Sequence, residues 1–136
     1  MNRTIKAPYC NKELDYCERE ALEKPQLKDL RRTCEHALHT EFYGKRLKDC
    51  GISSGEDIQS LDDLRRIPFT TKDDLRNSFP YGILSVSREQ VIRLHASSGT
   101  TGIPTVIYHT REDIDHWSEL TARSMVATGA VPGDVF

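Results

Sequence analysis

Ser97-Ser98-Gly99-Thr100-Thr101-Gly102-Ile103-Pro104-Thr105 is the stretch on which the fold and chemistry of this chain turn. Four hydroxyl side chains and two glycines fill its first six positions. Glycine reaches positive φ without a Cβ penalty and lets a ligand approach the main chain, so successive N–H groups can point into one concavity and hold an anion. Hydroxyls add donors around the same hollow. Such a loop suits the β- and γ-phosphates of a nucleotide, whose charge is costly to strip of water, and can help orient pyrophosphate as a leaving group. Composition alone leaves a second reading open: a Ser/Thr/Gly tract between strands can equally be a hairpin loop with no ligand.

Strand signals lie on both sides. Residues 89–96 carry Val91, Ile92, Leu94 and Ala96 without turn formers, and residues 105–108 form a second short apolar run. Two other phosphate loops are excluded by spacing. A Walker loop needs four residues between its glycines followed by Lys-Ser or Lys-Thr, whereas only Thr100 and Thr101 separate Gly99 from Gly102 and no lysine follows. Gly99 has no glycine two positions away, so the dinucleotide fingerprint is absent as well. Neither Ser97 nor Ser98 sits in a G-x-S-x-G nucleophile elbow.

Working outward, Thr110 and Asp113 form a capping signal ahead of Ile114, Trp117, Leu120, Thr121 and Met125 on one helical face, and Gly129 ends that helix. Core packing is the reading for Trp117, rather than stacking on an adenine. Arg93 and His95 read as strand residues on a polar face, the alternative being contact with phosphate or substrate. Upstream, Leu27, Leu30, Cys34, Ala37 and Leu38 recur at spacings of three and four and predict a helix facing a core. Pro25 predicts a junction between two helices. Phe42, Tyr43 and Leu47 continue the apolar supply up to Gly51, a carboxyl-side cap. Ser60 with Asp63, and Thr70 with Asp73, each predict the start of a short helix. Lys72 and Arg76 read as a solvated helix face, and Phe79 and Tyr81 as a turn packed under the 97–105 loop. Residues 131–136 read as a turn entering a new strand, which makes the chain look cut within a larger domain. The order of helices, strand, turn, strand and helix predicts an α/β layer architecture.

Composition narrows the function. Over 136 residues, 19 basic and 21 acidic side chains give a formal net charge of -2, so no bulk field draws the chain to nucleic acid or an anionic membrane. No window approaches the roughly 18 apolar residues of a membrane span, and no apolar signal segment follows the first basic residues, so a cytoplasmic protein is expected. Cys10, Cys17, Cys34 and Cys50 are then reduced thiols. Cys34, His36 and His39 form a weak zinc candidate, lacking any C-x-x-C pair.

The nonapeptide at 97–105 resembles the phosphate-binding motif of the adenylate-forming superfamily. Its surroundings, Ile67-Pro68-Phe69-Thr70-Thr71-Lys72-Asp73-Asp74-Leu75-Arg76, Phe79-Pro80-Tyr81-Gly82 and Val91-Ile92-Arg93-Leu94-His95-Ala96, resemble the phenylacetate-CoA ligase branch. The helix after Thr110 and the Pro132-Gly133-Asp134 turn are similar to it too. The resemblance implies that residues 1–136 are the amino-terminal part of the large AMP-binding domain: a helical segment over about 18–80, then strand, phosphate loop, strand and helix over about 89–130. It also implies that Ser97, Ser98, Gly99, Thr100, Thr101 and Gly102 hold the β- and γ-phosphates of ATP, that magnesium and CoA take part, and that the other partner is a small carboxylic acid. A homodimer is compatible with it.

Two positions depart from the superfamily's usual pattern. Thr105 stands where most members carry lysine, though threonine there is similar to the phenylacetate branch, and Ile103 stands where that branch often has lysine or another polar residue. The family's adenine, ribose and acid contacts and its catalytic lysine lie later in such chains, so these 136 residues are expected to have negligible ligase activity. Alternatives are a related synthetase that adenylylates a deazaflavin coenzyme, a stand-alone non-catalytic binding module, and a zinc-dependent interaction domain.

Overall fold

The 27-30-34-37-38 stripe does face a core. Cys34, Leu47, Ile52 and Ile58 are buried together, and Leu27, Leu30, Ala37, Leu38, Tyr43, Cys50 and Ile67 pack against them. At about 1.5–3 kcal/mol for each fully buried aliphatic side chain, this cluster is the main apolar support of the helical half. The computed structural model describes residues 11–97, 104–131 and 133–135. In chain order these form α1 (Lys12–Asp15), α2 (Arg19–Leu38), α3 (Glu41–Asp49), 3-10 turns at Gly55–Asp57 and Leu61–Arg66, α4 (Lys72–Asn77), a third 3-10 turn at Arg88–Gln90, β1 (Arg93–Ala96), β2 (Val106–His109) and α5 (Arg111–Ala127). No helix among the described residues is long and apolar enough to cross a membrane.

Pro25 does not separate two helices: α2 runs through it unbroken. The missing N–H deprives the Ala21 carbonyl of its partner, but both residues are exposed and water can serve that oxygen. Burial of the stripe that follows outweighs a penalty of about 3 kcal/mol. The actual break comes at Thr40. Its hydroxyl accepts from the Tyr43 N–H at 3.0 Å and donates to the Ala37 carbonyl at 2.8 Å, closing α2 and opening α3 with one side chain. With tyrosine three residues on instead of an acid, no capping box marks this start in the sequence.

Gly51 ends α3 as expected, at φ 76°. Its N–H donates to the Lys48 carbonyl and that of Ile52 to the Leu47 carbonyl, both at 2.9 Å, the paired bonds of a Schellman motif. The same turn drops Ile52 onto Leu47 in the core. Gly55 then meets α2 so closely that a Cβ would stand 2.6 Å from the Arg31 carbonyl oxygen. Its N–H donates to Glu35 Oε2 at 2.7 Å, and Arg31 Nε donates to the Ile58 carbonyl at 2.7 Å.

The Ser60/Asp63 capping box forms where expected. The second box is shifted by one residue, to Thr71 and Asp74. Asp74 Oδ2 accepts from the Thr71 N–H at 2.8 Å and from its hydroxyl at 2.9 Å while lying 3.5 Å from Arg46 of α3, whereas Thr70 pairs its hydroxyl with Tyr43 at 2.7 Å. A further box at Ser87 and Gln90 winds residues 88–90 into a turn, so the strand expected from residue 89 begins at Arg93. No strand is assigned among the described residues after Gly129, which closes α5 at φ 96°.

Candidate phosphate-loop hairpin

β1 and β2 pair antiparallel with Arg93 opposite His109, Leu94 opposite Tyr108, His95 opposite Ile107 and Ala96 opposite Val106. The ladder extends one step beyond each end. Ile92 N–H donates to the His109 carbonyl, and Ser97 N–H to the Thr105 carbonyl, each at 2.9 Å. The return bond at the loop end is made by a side chain, because the Thr105 N–H donates to Ser97 Oγ at 3.0 Å. Ser97 and Thr105, the first and last residues of the 97–105 tract, therefore lock each other across its neck. Of the six expected phosphate contacts, Ser97 is described and sits at this neck, exposed; Ser98, Gly99, Thr100, Thr101 and Gly102 lie outside the described residues.

Opposed residues in an antiparallel pair share a face and alternate along the strand. One face carries His95 and His109, whose rings meet at 5.0 Å, and Trp117 of α5 closes on both at 5.1 and 5.5 Å. Alternation of Arg93 and His95 with Leu94 holds, but His95 is an aromatic packing partner and not part of a free polar face. Trp117, expected in a core, is 45% exposed and meets these imidazoles, and no residue of α5 is fully buried. Ion pairs also join its helix to the helical half: Arg123 to Asp15 at 2.6 Å and, at the surface, Arg32 to Glu112 at 3.0 Å. The Thr110/Asp113 box opens it as expected. Burial opposes ionisation of Asp113, yet the Thr110 N–H and hydroxyl, with His109 and His116 nearby, hold its carboxyl below the ordinary range.

On the opposite face Tyr108 packs against Tyr81 at 5.8 Å, and the Arg88 guanidinium lies 5.5 Å from the Tyr81 ring. Burial, then the neighbouring Tyr81, pushes the Tyr108 phenol up. Tyr81 thus supports the hairpin's middle, while Phe79 is more than half exposed; any contact of either with residues 98–103 lies outside the described residues. A cleft of about 770 Å³ separates this face from α2 and is bordered by Arg32, His36, Tyr43 and Tyr108.

Thr105, a position that follows the phenylacetate branch in sequence, has a distinct structural setting. It is only 7% exposed, and its hydroxyl oxygen is buried without a hydrogen-bond partner among the described residues. A lone threonine at a strand start carries no sequence signal for this; burial alone reveals it. The zinc candidate does not assemble: Cys34 is buried in the core, His36 and His39 are exposed, and among the described residues no group of three potential ligands converges. Burial, then Cys50, pushes the Cys34 thiol up, and Cys17, Cys34 and Cys50 are free.

No family model matches the chain. Individual proteins do. It is 46% identical over 116 residues to phenylacetate-coenzyme A ligase of Pseudomonas putida and 42% identical over 116 residues to that of Escherichia coli strain K12. Each alignment covers 85% of this chain and 26% of the relative, so the chain spans about a quarter of the length of these proteins. Among solved structures, a 2-hydroxyisobutyryl-CoA ligase in complex with 2-HIB-AMP and CoA superposes with a TM-score of 0.75 at 31% identity, covering 86% of this chain and 26% of that one. That agreement carries the expected fold class, the opening helices, first strands and helix of an adenylate-forming enzyme's large domain. Taken with the sequence identities, it makes this chain similar over most of its length to about a quarter of the phenylacetate-coenzyme A ligases.

Proposed function

We propose that the chain supplies the triphosphate-binding hairpin of an ATP-dependent, AMP-forming ligase that joins an aryl or arylacetic acid to CoA. In that reaction a carboxylate oxygen attacks the α-phosphorus of ATP and pyrophosphate leaves; the CoA thiol then attacks the acyl carbon and AMP departs. The part assigned to this chain is the first half, in which residues 97–102 bind the β- and γ-phosphates. A leaving pyrophosphate needs its charge neutralised and its α-β bond held in line with the attacking oxygen, and both demands are met by fixed donors.

The observation that carries the reading is the neck. Ser97 and Thr105 are clamped by two hydrogen bonds of 2.9 and 3.0 Å, so the hydroxyl- and glycine-rich tract starts and ends at fixed points on a two-stranded ladder. Donors held before the ligand arrives lose less conformational entropy on binding. Magnesium is read as arriving with the nucleotide, and no residue is assigned to it. Cytoplasm, with ATP and CoA at hand, is the setting of this reading.

Calorimetric titration of the 136-residue chain with ATP, inorganic pyrophosphate and AMP tests it. Pyrophosphate and ATP should bind, and AMP should bind about tenfold more weakly or worse, a gap of about 1.4 kcal/mol. AMP binding as tight as ATP would remove the phosphate assignment. Incubation with ATP, phenylacetate and CoA should yield negligible AMP, because the adenine, acid and thiol contacts are not assigned to these residues.

A further inference from the structure

We infer that β1, β2 and α5 form one body that swings against the amino-terminal helices. Tyr81 and Gly82 are its pivot, and the ion pairs Asp15–Arg123 and Arg32–Glu112 are the latch that keeps the cleft between the bodies closed. The two bodies differ in what holds each together. Cys34, Leu47, Ile52 and Ile58 lie on α2, on α3 and in the turns that follow, and among the described residues no side chain of β1, β2 or α5 joins that buried cluster. The hairpin and α5 are joined to one another instead, by the antiparallel ladder and by Trp117 set over His95 and His109.

Contacts between the bodies gather at two places. At the first, the Phe42 N–H of α3 donates to the Gly82 carbonyl at 2.9 Å, while the neighbouring Tyr81 ring packs on Tyr108 of β2 at 5.8 Å. One short stretch thus touches both bodies, as a hinge requires: a few residues absorb the rotation and the packed units stay intact. At the second, the contacts are polar. Arg123 of α5 places Nε at 2.8 Å and Nη2 at 2.6 Å from Asp15 Oδ1, and Asn11 Nδ2 donates to Glu119 Oε1 at 3.4 Å. Arg32 of α2 meets Glu112 at 3.0 Å, and both border the cleft of about 770 Å³, so this pair reaches across it. Exposure ranks the two ion pairs. The Arg123 and Asp15 side chains are 29% and 22% exposed, those of Arg32 and Glu112 61% and 79%, so water screens the second pair more and the first is the stronger part of the latch. An interface fastened by charge opens at lower free energy than the buried apolar cluster, and salt weakens it.

NMR relaxation dispersion, which reads motion on the microsecond-to-millisecond scale of swinging bodies, tests this on the wild-type chain, Arg123→Ala, Asp15→Asn and Arg123→Lys. Amides of β1, β2 and α5 should share one exchange rate, and those of Leu47 and Ile52 should show none. Arg123→Ala and Asp15→Asn should each raise the open population about threefold, the effect of losing one partly exposed ion pair. Arg123→Lys keeps the charge and should fall between them and the wild type. Sodium chloride at about 0.5 M should raise the open population of the wild type and change Arg123→Ala little. Arg19→Ala, which removes the Arg19–Glu23 pair within α2, should leave the exchange as it is. Open populations equal in the wild type and both latch variants, or exchange shared by Leu47 and Ile52, would overturn the inference. Amide hydrogen exchange separates swinging from melting: the Leu120 amide, inside α5, should keep its protection within about twofold in Arg123→Ala, and a loss of about tenfold would replace the swing with local unfolding. Failure of both latch variants to fold would make the pair a support of the fold itself and equally overturn the inference.

Discussion

Replacing Ser97 with alanine isolates the bond that sets the hairpin neck. The substitution removes the acceptor of the Thr105 N–H, now at 3.0 Å, while leaving the main-chain bond from Ser97 N–H to the Thr105 carbonyl in place. Thr105 is buried, so its orphaned N–H gains little from water. A buried donor left without a partner costs about 1–3 kcal/mol. Taking about 1.4 kcal/mol from the lower part of that range, opening at the neck becomes about tenfold more frequent. Amide hydrogen exchange followed by NMR reads this directly, since local opening is reported residue by residue. The Thr105 amide should exchange about tenfold faster in Ser97→Ala, while the Ile92 amide, bonded to the His109 carbonyl at the far end of the ladder, should change by less than about twofold. Ser97→Thr, which keeps a hydroxyl, should restore most of the protection. Unaltered Thr105 exchange in Ser97→Ala would refute the side-chain lock and, with it, the argument that the tract is presented from fixed ends.

Leu47, at 2% exposure, lies at the meeting of α3 and the Schellman turn; Leu47→Ala should cost about 2–5 kcal/mol by chemical denaturation, and a loss under 1 kcal/mol would mean that the cluster is not the core of the helical half. Acid should unfold the chain in a defined direction. The carboxyls of Asp57, Asp63 and Asp74 are held below the ordinary range first by backbone N–H donors, from Ser53, Ser60 and Thr71 respectively. Their contribution is fully present above the unfolded value of about 3.9 and is lost as pH falls through it toward the lower folded values. Denaturation midpoints should therefore be level between about pH 5 and 7 and fall below about pH 4, and Asp74→Asn should flatten part of that decline.

Much of the helical half is legible from spacing. Leu27, Leu30, Cys34, Ala37 and Leu38 announce their face because a helix repeats every 3.6 residues, and Gly51 announces the end of α3 because a positive φ suits glycine. Ser60 with Asp63 and Thr110 with Asp113 are equally readable, since a capping box is closed by residues three apart. Where such local signals compete, neighbours decide. Thr70 and Thr71 are equivalent in the sequence, and Asp74 settles on Thr71 because Arg46, from another helix, stands beside its carboxylate while Tyr43 takes Thr70. Pro25 reads as a break and is carried through because the stripe beyond it finds a core.

The candidate site divides along the same line. Hydroxyls and glycines at 97–102 are legible as a candidate phosphate-binding composition, since that chemistry depends on residue type at consecutive positions, but composition alone leaves a ligand-free hairpin loop equally open. Ser97 as the clamp of Thr105, the buried Thr105 hydroxyl, and the seating of Trp117 on His95 and His109 depend on register and burial. Those are set by which strand residues end up opposite one another and what packs over them, and a linear order of residues contains neither until the chain has folded.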